Sequence, residues 1–95
     1  MSKRNTLSEG QLRLVAKALA DGRRYQILQQ VGAKAEGVSC AEIRDCHSVT
    51  AATLSHHIKE LEIAGLISIV REGKFARLLL RRDVLNGYLE HLAAI

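Results

Sequence analysis

Three helix starts are recognisable in this sequence, each from a Ser or Thr that stands just before a helical run of apolar residues. Ser8 is followed three residues later by Gln11, and Ser39 is followed at the same spacing by Glu42. Such pairs exchange side-chain and backbone hydrogen bonds at a helix N-terminus. Thr50 stands in the same place before a third run and supplies the hydroxyl that a cap needs. The first two thirds of the chain are therefore expected to be helical.

Asp21 and two glycines divide this helical part into four segments. Asp21 is placed to cap the second helix, and Gly32 is available for a left-handed turn at its end. Gly65 should end the fourth helix in the same way. The four predicted helices span residues 8–20, 22–32, 40–46 and 50–64.

The pattern changes after Gly65. Residues 66–70 are rich in β-formers, residues 72–74 read Glu-Gly-Lys, and residues 75–80 form a second apolar run. This order predicts a β-hairpin. Asp83 is placed to cap a last helix. The apolar face of that helix is too wide for a helix that packs on one side only.

A short helix, a three-residue turn, a longer capped helix and a hairpin follow one another in the order of a winged helix-turn-helix. We therefore predict a mainly α fold with a β-hairpin wing, in the element order α-α-α-α-β-β-α. A chain of 95 residues can form one modest core, so we expect a single domain over residues 1–95. With one Phe, two Tyr and no Trp, that core should be aliphatic.

The second helix of a helix-turn-helix pair enters the major groove of DNA, so its outward face should carry the binding residues. At about 100° per residue, Leu54, Ile58 and Leu61 fall on one side of the fourth helix. His57 lies at the edge of this apolar side and is expected to be a structural histidine or a phosphate contact, and not a reader of bases. Methyl groups suit thymine, and hydroxyl, imidazole and ammonium groups suit bases or phosphates. The predicted DNA-facing residues of the helix are Thr50, Ala52, Ser55, His56 and Lys59.

Positive charge is concentrated in the predicted hairpin, at Arg71, Lys74 and Arg77. A wing can reach a phosphate or the adjacent minor groove, so we predict that these three residues bind the DNA backbone. The net charge of +4 and a sequence pI near 9.4 are consistent with a polyanionic partner. Two alternatives stay open: the polar helix face is only solvated, and the hairpin charges keep an edge strand from aggregating.

Three segments occur in order along the chain: ALADGRRYQIL from Ala18, TLSHHIKEL from Thr53 and AGLISIVREGKFARLLL from Ala64. They resemble the ALADPTRxxIL opening, the TVSxHLxxL recognition helix and the AGLVxxRREGRxxxYxL wing of the ArsR/SmtB family of bacterial repressors. The resemblance covers roughly residues 18–80. It implies a homodimer that binds an operator in double-stranded DNA, represses transcription and is released by an effector.

The resemblance also implies that the dimer is built on the first and last helices. The wide apolar face of the last helix agrees with such an interface. The interface residues predicted on these helices are Leu12, Leu19, Leu85, Tyr88, Leu89 and Leu92.

The chain departs from this family at the positions where the family's metal sensors bind metal. The Cys-x-Cys pair of the thiolate sensors corresponds here to Ser39 and Ala41, with Cys40 between them, so we expect that metal site to be missing. The last helix offers three possible zinc ligands in poor register: Asp83, Glu90 and His91.

Cys40, Cys46 and His47 are the remaining metal candidates. Six helical residues separate two side chains by about 9 Å and place them on different faces, so one zinc ion could not bind both thiols. Cys46 and His47 alone supply two ligands, unless a partner subunit completes the site. We expect thiols buried as small apolar residues, with no metal and no cofactor. The effector stays open among a metal ion, thiol oxidation, a small molecule and none.

No motif indicates an enzyme. The sequence has no Gly-x-Ser-x-Gly and no P-loop, and the adjacent Cys46 and His47 are poorly placed to act as nucleophile and base. No apolar run approaches the roughly 18 residues of a membrane span, and no signal peptide is recognisable. Two cysteines without a disulfide framework favour the cytoplasm. The alternative to a DNA-binding regulator is a winged helix that binds another protein.

Overall fold

The computed structural model describes residues 6–95, and over that range the chain forms five helices and three strands. The helices are α1 (Glu9–Leu19), α2 (Gly22–Gly32), α3 (Cys40–Asp45), α4 (Ala51–Ile63) and α5 (Arg82–Ala93). The strands are β1 (Val38–Ser39), β2 (Ile67–Glu72) and β3 (Phe75–Leu80). The predicted helices and the predicted hairpin are therefore confirmed, and β1 is an addition to them.

The predicted caps form at four helix starts. The Ser8 hydroxyl accepts a hydrogen bond from the backbone N–H of residue 11 at 3.1 Å. At α3 the exchange is reciprocal: the Glu42 carboxylate accepts from the Ser39 backbone at 2.8 Å, and the Ser39 hydroxyl accepts from the Glu42 backbone at 3.1 Å. The side chains of Thr50 and Asp21 cap α4 and α2 by accepting hydrogen bonds from backbone N–H groups of the first turn. These bonds satisfy backbone donors that a helix leaves unpaired.

The predicted left-handed turn at Gly32 is wrong. The cap after α2 is Ala33 in the right-handed region, and the positive φ angles lie at Gly37 (85°), Gly65 (81°) and Gly73 (61°). At Gly32 a Cβ atom would stand 3.0 Å from the side chain of Leu80, so this glycine allows a close approach of β3 to the helix. The predicted turn after α4, at Gly65, is confirmed.

The predicted cap of the last helix at Asp83 is also wrong. The residue before α5 is Arg81, which makes no side-chain cap hydrogen bond, and Asp83 lies inside the first turn. The Asp83 carboxylate instead accepts two hydrogen bonds from the Arg81 guanidinium, at 3.1 and 2.9 Å. This contact holds the pKa of the Asp83 carboxyl below its ordinary value.

The three strands form one antiparallel sheet in the order β1-β3-β2. β2 and β3 are the predicted hairpin, and they pair along their length from Ile67 opposite Leu80 to Glu72 opposite Phe75. β1 adds two residues to the other edge of β3, with Val38 opposite Leu78. Because β1 directly precedes α3, this pairing joins the hairpin to the start of the helix-turn-helix.

The core is aliphatic, as predicted, and lies between the helices and the inner face of the sheet. On α4, Leu54 and Leu61 are buried and Ile58 packs against the core, which confirms the predicted inward face. Within the described range, no helix is long and apolar enough to cross a membrane. The largest fully buried side chains are Ile27, Ile43, Leu61, Leu66, Ile67, Leu78, Val15 and Val31.

Candidate nucleic-acid interface

The outward face of α4 is formed by the residues that the helical spacing places there. Ala52, Ser55, His56 and Lys59 are all exposed, while Leu54 on the opposite side is buried. The helix therefore presents a methyl group, a hydroxyl, an imidazole and an ammonium group along one side. The methyl group can contact thymine, the hydroxyl and imidazole can form hydrogen bonds with bases, and the ammonium group can attract phosphate.

Thr50 is exposed at the start of this face, but its hydroxyl is already used. It accepts from the Thr53 backbone at 3.1 Å and donates to the Thr53 hydroxyl at 2.9 Å. Thr53 is exposed as well and was not among the predicted contacts. The first turn of α4 therefore offers a pair of linked hydroxyls, of which Thr53 keeps its donor for an outside acceptor.

His57 is a structural histidine, as its place on the helix predicted. It is 8% exposed, and its Nδ1 lies 3.2 Å from Nη1 of Arg24. Because a guanidinium only donates, Nδ1 accepts and the ring proton sits on Nε2. The neighbouring histidine, His56, is exposed. Two adjacent residues of one type thus have different tasks, one directed inward and one outward.

Arg24 joins three helices beside the middle of α4. Besides its contact with His57, it donates from Nε to the carbonyl of Ala18 at 2.8 Å and from Nη2 to that of Lys17 at 3.2 Å. Those two carbonyls belong to the last turn of α1, whose final carbonyls lack partners within the helix. Arg24 therefore fixes α4 against the end of α1.

A second arginine–histidine contact holds the turn between α3 and α4. Nη1 of Arg23 lies 3.2 Å from Nδ1 of His47, and Nε2 of His47 lies 3.1 Å from Oε1 of Gln30. Both ring nitrogens of His47 are therefore engaged, which leaves neither for a metal ion. Burial, and then the charge of Arg23, lower the pKa of His47 below its ordinary value.

The wing and α4 enclose a cleft of about 240 Å³. Arg71 of β2 and Lys59 of α4 line it from opposite sides, together with Ser55. Two cations and a hydroxyl thus converge between the two elements that the sequence assigns to DNA. Glu62 lines the same cleft and supplies one opposing charge.

The other two wing cations are placed differently. Lys74 is exposed in the turn at the tip of the hairpin. Arg77 faces Val70 across the strands and forms an ion pair with Glu72 at 3.1 Å. Strand alternation puts Arg77 on the opposite side of the sheet from Arg71. Of the three predicted phosphate contacts, Arg77 is the one whose charge is already paired, with Glu72.

The prediction that both thiols are buried is wrong for Cys46. Cys40 is partly buried at the start of α3, where it packs against the core and lines the cleft between α4 and the wing. Cys46 is exposed because it follows the last turn of a six-residue helix and points away from the core. In the part of the chain from residue 6 onward, no three or more His, Cys, Asp or Glu side chains form a group that could hold a metal ion.

A second surface is apolar. We call it the α5 face, and it consists of Leu89 and Leu92 of α5 with Tyr25 of α2. Leu89 is 52% exposed and Leu92 is 47% exposed. The other predicted interface residues are only partly exposed and pack against the chain's own core: Leu12, Leu19, Leu85 and Tyr88. Both exposed leucines line a groove of about 660 Å³ between α2 and α5.

Tyr25 of α2 belongs to the α5 face but was not predicted. It is 51% exposed and lines the groove together with Leu28 and Gly32, one and two turns further along α2. The spacing of three and four residues places Tyr25, Leu28 and Gly32 on one face of α2, and this could have been recognised in the sequence. The cap at Asp21 marks where α2 begins but does not show which face of the helix stays outside the core.

The helix-turn-helix domain family model matches residues 19–70, more than half of the chain. No curated protein sequence matches significantly. An ArsR-like transcriptional regulator from Rhodococcus sp. RHA1 is 25% identical in sequence, with a TM-score of 0.79 over 90% of this chain and 78% of that one.

Two structures from Mycobacterium bovis are also similar. A possible transcriptional regulatory protein (fragment 1-100) is 30% identical, with a TM-score of 0.72 over 90% of this chain and 91% of that one. A homodimeric winged helix-turn-helix DNA-binding domain (fragment 1-100) of a possible ArsR-family regulator is 26% identical, with a TM-score of 0.70 over 90% and 79%. The chain belongs to the helix-turn-helix domain family, and it is an ArsR-like winged helix-turn-helix transcriptional regulator.

Proposed function

We propose that this protein is a homodimeric repressor that binds an inverted-repeat operator through α4 and the wing. One observation carries the proposal: the polar face of α4 and the one cation of β2 converge on the same cleft, where Ser55, Lys59 and Arg71 lie together. A cleft of this kind fits a phosphate strand that runs from the major groove, which α4 would occupy, to the wing.

The residues around the cleft divide into two tasks. Ser55, His56 and Ala52 read bases, because they lie on the outward face of α4 and offer hydrogen bonds or a methyl group. Lys59, Arg71 and Lys74 bind phosphates and supply affinity that depends on salt. Thr50 contributes mainly as the cap of α4, and Arg77 contributes less than the other cations because Glu72 already neutralises it.

The α5 face supplies the dimer contact. Exposed leucines that line an apolar groove gain free energy when a second copy covers them. The homodimeric relative from Mycobacterium bovis supports the same assembly here. In such a dimer the two α4 helices would enter successive major grooves about 34 Å apart, which requires an operator with two-fold symmetry.

Repression follows if the bound dimer blocks access of the polymerase to the promoter. The protein would act on DNA as a single domain over residues 1–95, in the bacterial cytoplasm and without catalysis. A small effector would release it, and the chemistry of the cleft and of the groove leaves its identity open. The family-type Cys-x-Cys site is replaced by Ser39, Cys40 and Ala41, so a thiolate metal sensor of that type is not proposed.

The proposal is tested by selecting bound duplexes from a random library with the purified protein. The selection is run at two salt concentrations, and binding to the enriched duplex is then repeated with zinc or arsenite. We expect an enriched inverted repeat whose half-sites are separated by about one helical turn. Binding should weaken as salt rises, because phosphate contacts release counterions.

Each other outcome changes the conclusion in a defined way. Loss of binding on addition of zinc or arsenite would indicate a metal site that the described side chains do not reveal. An enriched single half-site would argue against the dimer. Absence of enrichment even at low salt would exclude the DNA-binding proposal and favour a winged helix that binds another protein.

A further inference from the structure

Phe75 is the one phenylalanine of the sequence, and it is not part of the core. It is 72% exposed at the start of β3, where it stands opposite Glu72 and directly after Lys74. It lies at the end of a run, residues 70–75, in which every residue is exposed. An aromatic ring is among the largest contributors of burial free energy, and this one is available at the end of the hairpin to any partner that covers it.

The hairpin carries this ring away from the body of the molecule. Residues 70–72 of β2 are exposed, and at about 3.3 Å per residue they extend roughly 10 Å beyond the buried part of the sheet. The turn that follows consists of Gly73, which has no side chain, and Lys74. The tip of the wing therefore presents one ammonium group and one aromatic ring, side by side.

The ring lies on the side of the sheet away from the recognition helix. Ala76 faces the cleft to α4 with Arg71, and strand alternation turns Phe75 to the other side. Neither the core cluster nor the groove beneath α5 includes it. Within residues 6–95, Phe75 therefore stays exposed at the tip of the wing, where it is accessible to a partner.

We propose that Phe75 is a DNA contact that enters the minor groove beside the major-groove site of α4. The proposal rests on the DNA-binding function proposed above. Charge favours DNA over a protein partner, because Lys74 adjoins the ring at the tip and Arg71 lies on the other side of the same hairpin, where both can attract the phosphates of the groove edges. Glu72, which stands opposite the ring, is already paired with Arg77. The minor groove is about 6 Å wide and 7.5 Å deep, so it admits one flat ring but not a two-stranded hairpin.

Insertion of this kind reads DNA shape and not base identity. An apolar side chain in the minor groove packs on sugars and base edges and partly unstacks a step, which is easiest at flexible pyrimidine–purine steps. We therefore expect a preference for such steps at the two positions of the operator that the wings reach. The contact is not ionic, so its loss should leave the salt dependence of binding unchanged.

The test compares three variants on the inverted-repeat duplex enriched by selection, over a range of salt concentrations. Phe75→Ala should weaken binding about tenfold at every salt concentration, with the slope of log affinity against log salt unchanged. Phe75→Leu should recover most of this loss, because it restores an apolar wedge. Lys74→Gln is the matched neighbour: it should lower the magnitude of the slope by about 2, at about 0.9 per phosphate contact in each of two subunits.

Insertion is also observed directly with 2-aminopurine, placed singly at successive positions of the duplex where the wing falls. Wild type should raise the fluorescence at one step in each half-site, and Phe75→Ala should not, while the far-ultraviolet spectrum and thermal unfolding of the variant match those of wild type. Wild-type affinity and step preference in Phe75→Ala would overturn the inference and leave the repressor proposal intact. Failure of wild type to bind any duplex would overturn both.

Discussion

The two exposed surfaces of this protein are opposite in chemistry. Around α4 and the wing, the surface is polar and cationic, and its residues are exposed without cost because water solvates them. On the α5 face, Leu89, Leu92 and Tyr25 are each about half exposed and line an apolar groove. Exposed polar groups do not by themselves require a partner, whereas a contiguous apolar surface usually has one.

The two surfaces therefore indicate a partner in different ways. The α5 face indicates a partner through burial alone, and a second copy of the chain matches it in chemistry because both copies would bury the same leucines. The α4 side indicates a partner only through arrangement, in that Lys59 and Arg71 converge on one cleft. Variants that weaken one surface at a time should show whether dimerisation and DNA binding depend on each other.

The largest effect is expected from Leu89→Glu on the α5 face. A carboxylate in an apolar interface loses its solvation without gaining a partner, so the dimer should dissociate. The variant should sediment as a monomer, and its affinity for the inverted repeat should fall at least about a hundredfold, because the two half-sites are no longer bound together.

Val70→Glu is the matched control for this variant, since Val70 is also apolar and is 40% exposed, but on the wing. It should remain dimeric in the same sedimentation experiment. If Leu89→Glu stays dimeric at every concentration tested, the α5 face is not the interface and the partner of this apolar surface must be sought elsewhere.

The adjacent histidines of α4 should separate stability from recognition. His57→Ala removes the acceptor of Arg24 Nη1 and leaves this one donor of a partly buried guanidinium without its partner, which should cost about 1–3 kcal/mol of unfolding free energy. At fixed protein concentration this corresponds to a Tm lowered by roughly 5–15 °C for a domain of this size. His56→Ala should leave Tm nearly unchanged but reduce discrimination among operator variants.

His57→Asn is the control for the inner histidine, because its Oδ1 can accept the same hydrogen bond from Arg24 and should restore part of the stability. Urea unfolding and competition binding measure the two properties separately. Equal loss of stability in the His56 and His57 variants would show that α4 has no distinct inner and outer sides.

The sequence predicted those parts of the structure that local chemistry determines. The reciprocal bonds of Ser39 and Glu42 need only a three-residue spacing, and the burial of Leu54 and Leu61 needs only helical periodicity. The exposed face of α4 then follows as the complement of its buried face. The fold and the exposure of the candidate DNA contacts on α4 could therefore be predicted from the sequence.

The remaining features depend on residues that are distant in sequence. β1 is two residues long and exists because Val38 pairs with Leu78, which no local propensity specifies. The contact between Arg24 and His57 joins positions 33 residues apart. Competition between hydrogen-bond partners is also not visible in the sequence. Asp83 was expected to cap α5, but its carboxylate accepts two hydrogen bonds from the Arg81 guanidinium instead.

A smaller effect should distinguish two arginines of the wing. Arg71 faces Lys59 across the cleft, whereas Arg77 is paired with Glu72. Arg71→Gln should therefore lower the magnitude of the salt slope by about 2 in the dimer, as one phosphate contact per subunit is lost. Arg77→Gln should change the slope by less than half as much, and a larger effect for Arg77 would show that its pair with Glu72 does not keep it from a phosphate.

The smallest effect is expected from acidification, through His47. Burial and Arg23 lower the pKa of His47 in the folded state, so the unfolded chain binds this proton at a higher pH than the folded protein does. The stabilisation is therefore present above the ordinary value of 6.5 and is lost as pH falls through the lower, folded pKa. Tm measured at pH 5.5 should be below Tm at pH 7.5 for this reason.

His47→Gln should reduce that difference, because Gln does not titrate but can still accept from Arg23. His91→Gln, on α5 and away from the turn before α4, should retain it. The carboxyls of Asp21, Glu42 and Asp83 do not interfere, because their pKa values are lowered from 3.8 or 4.5 and the stability they contribute is lost only at lower pH. An unchanged difference in His47→Gln would show that His47 is not the source of the acid sensitivity.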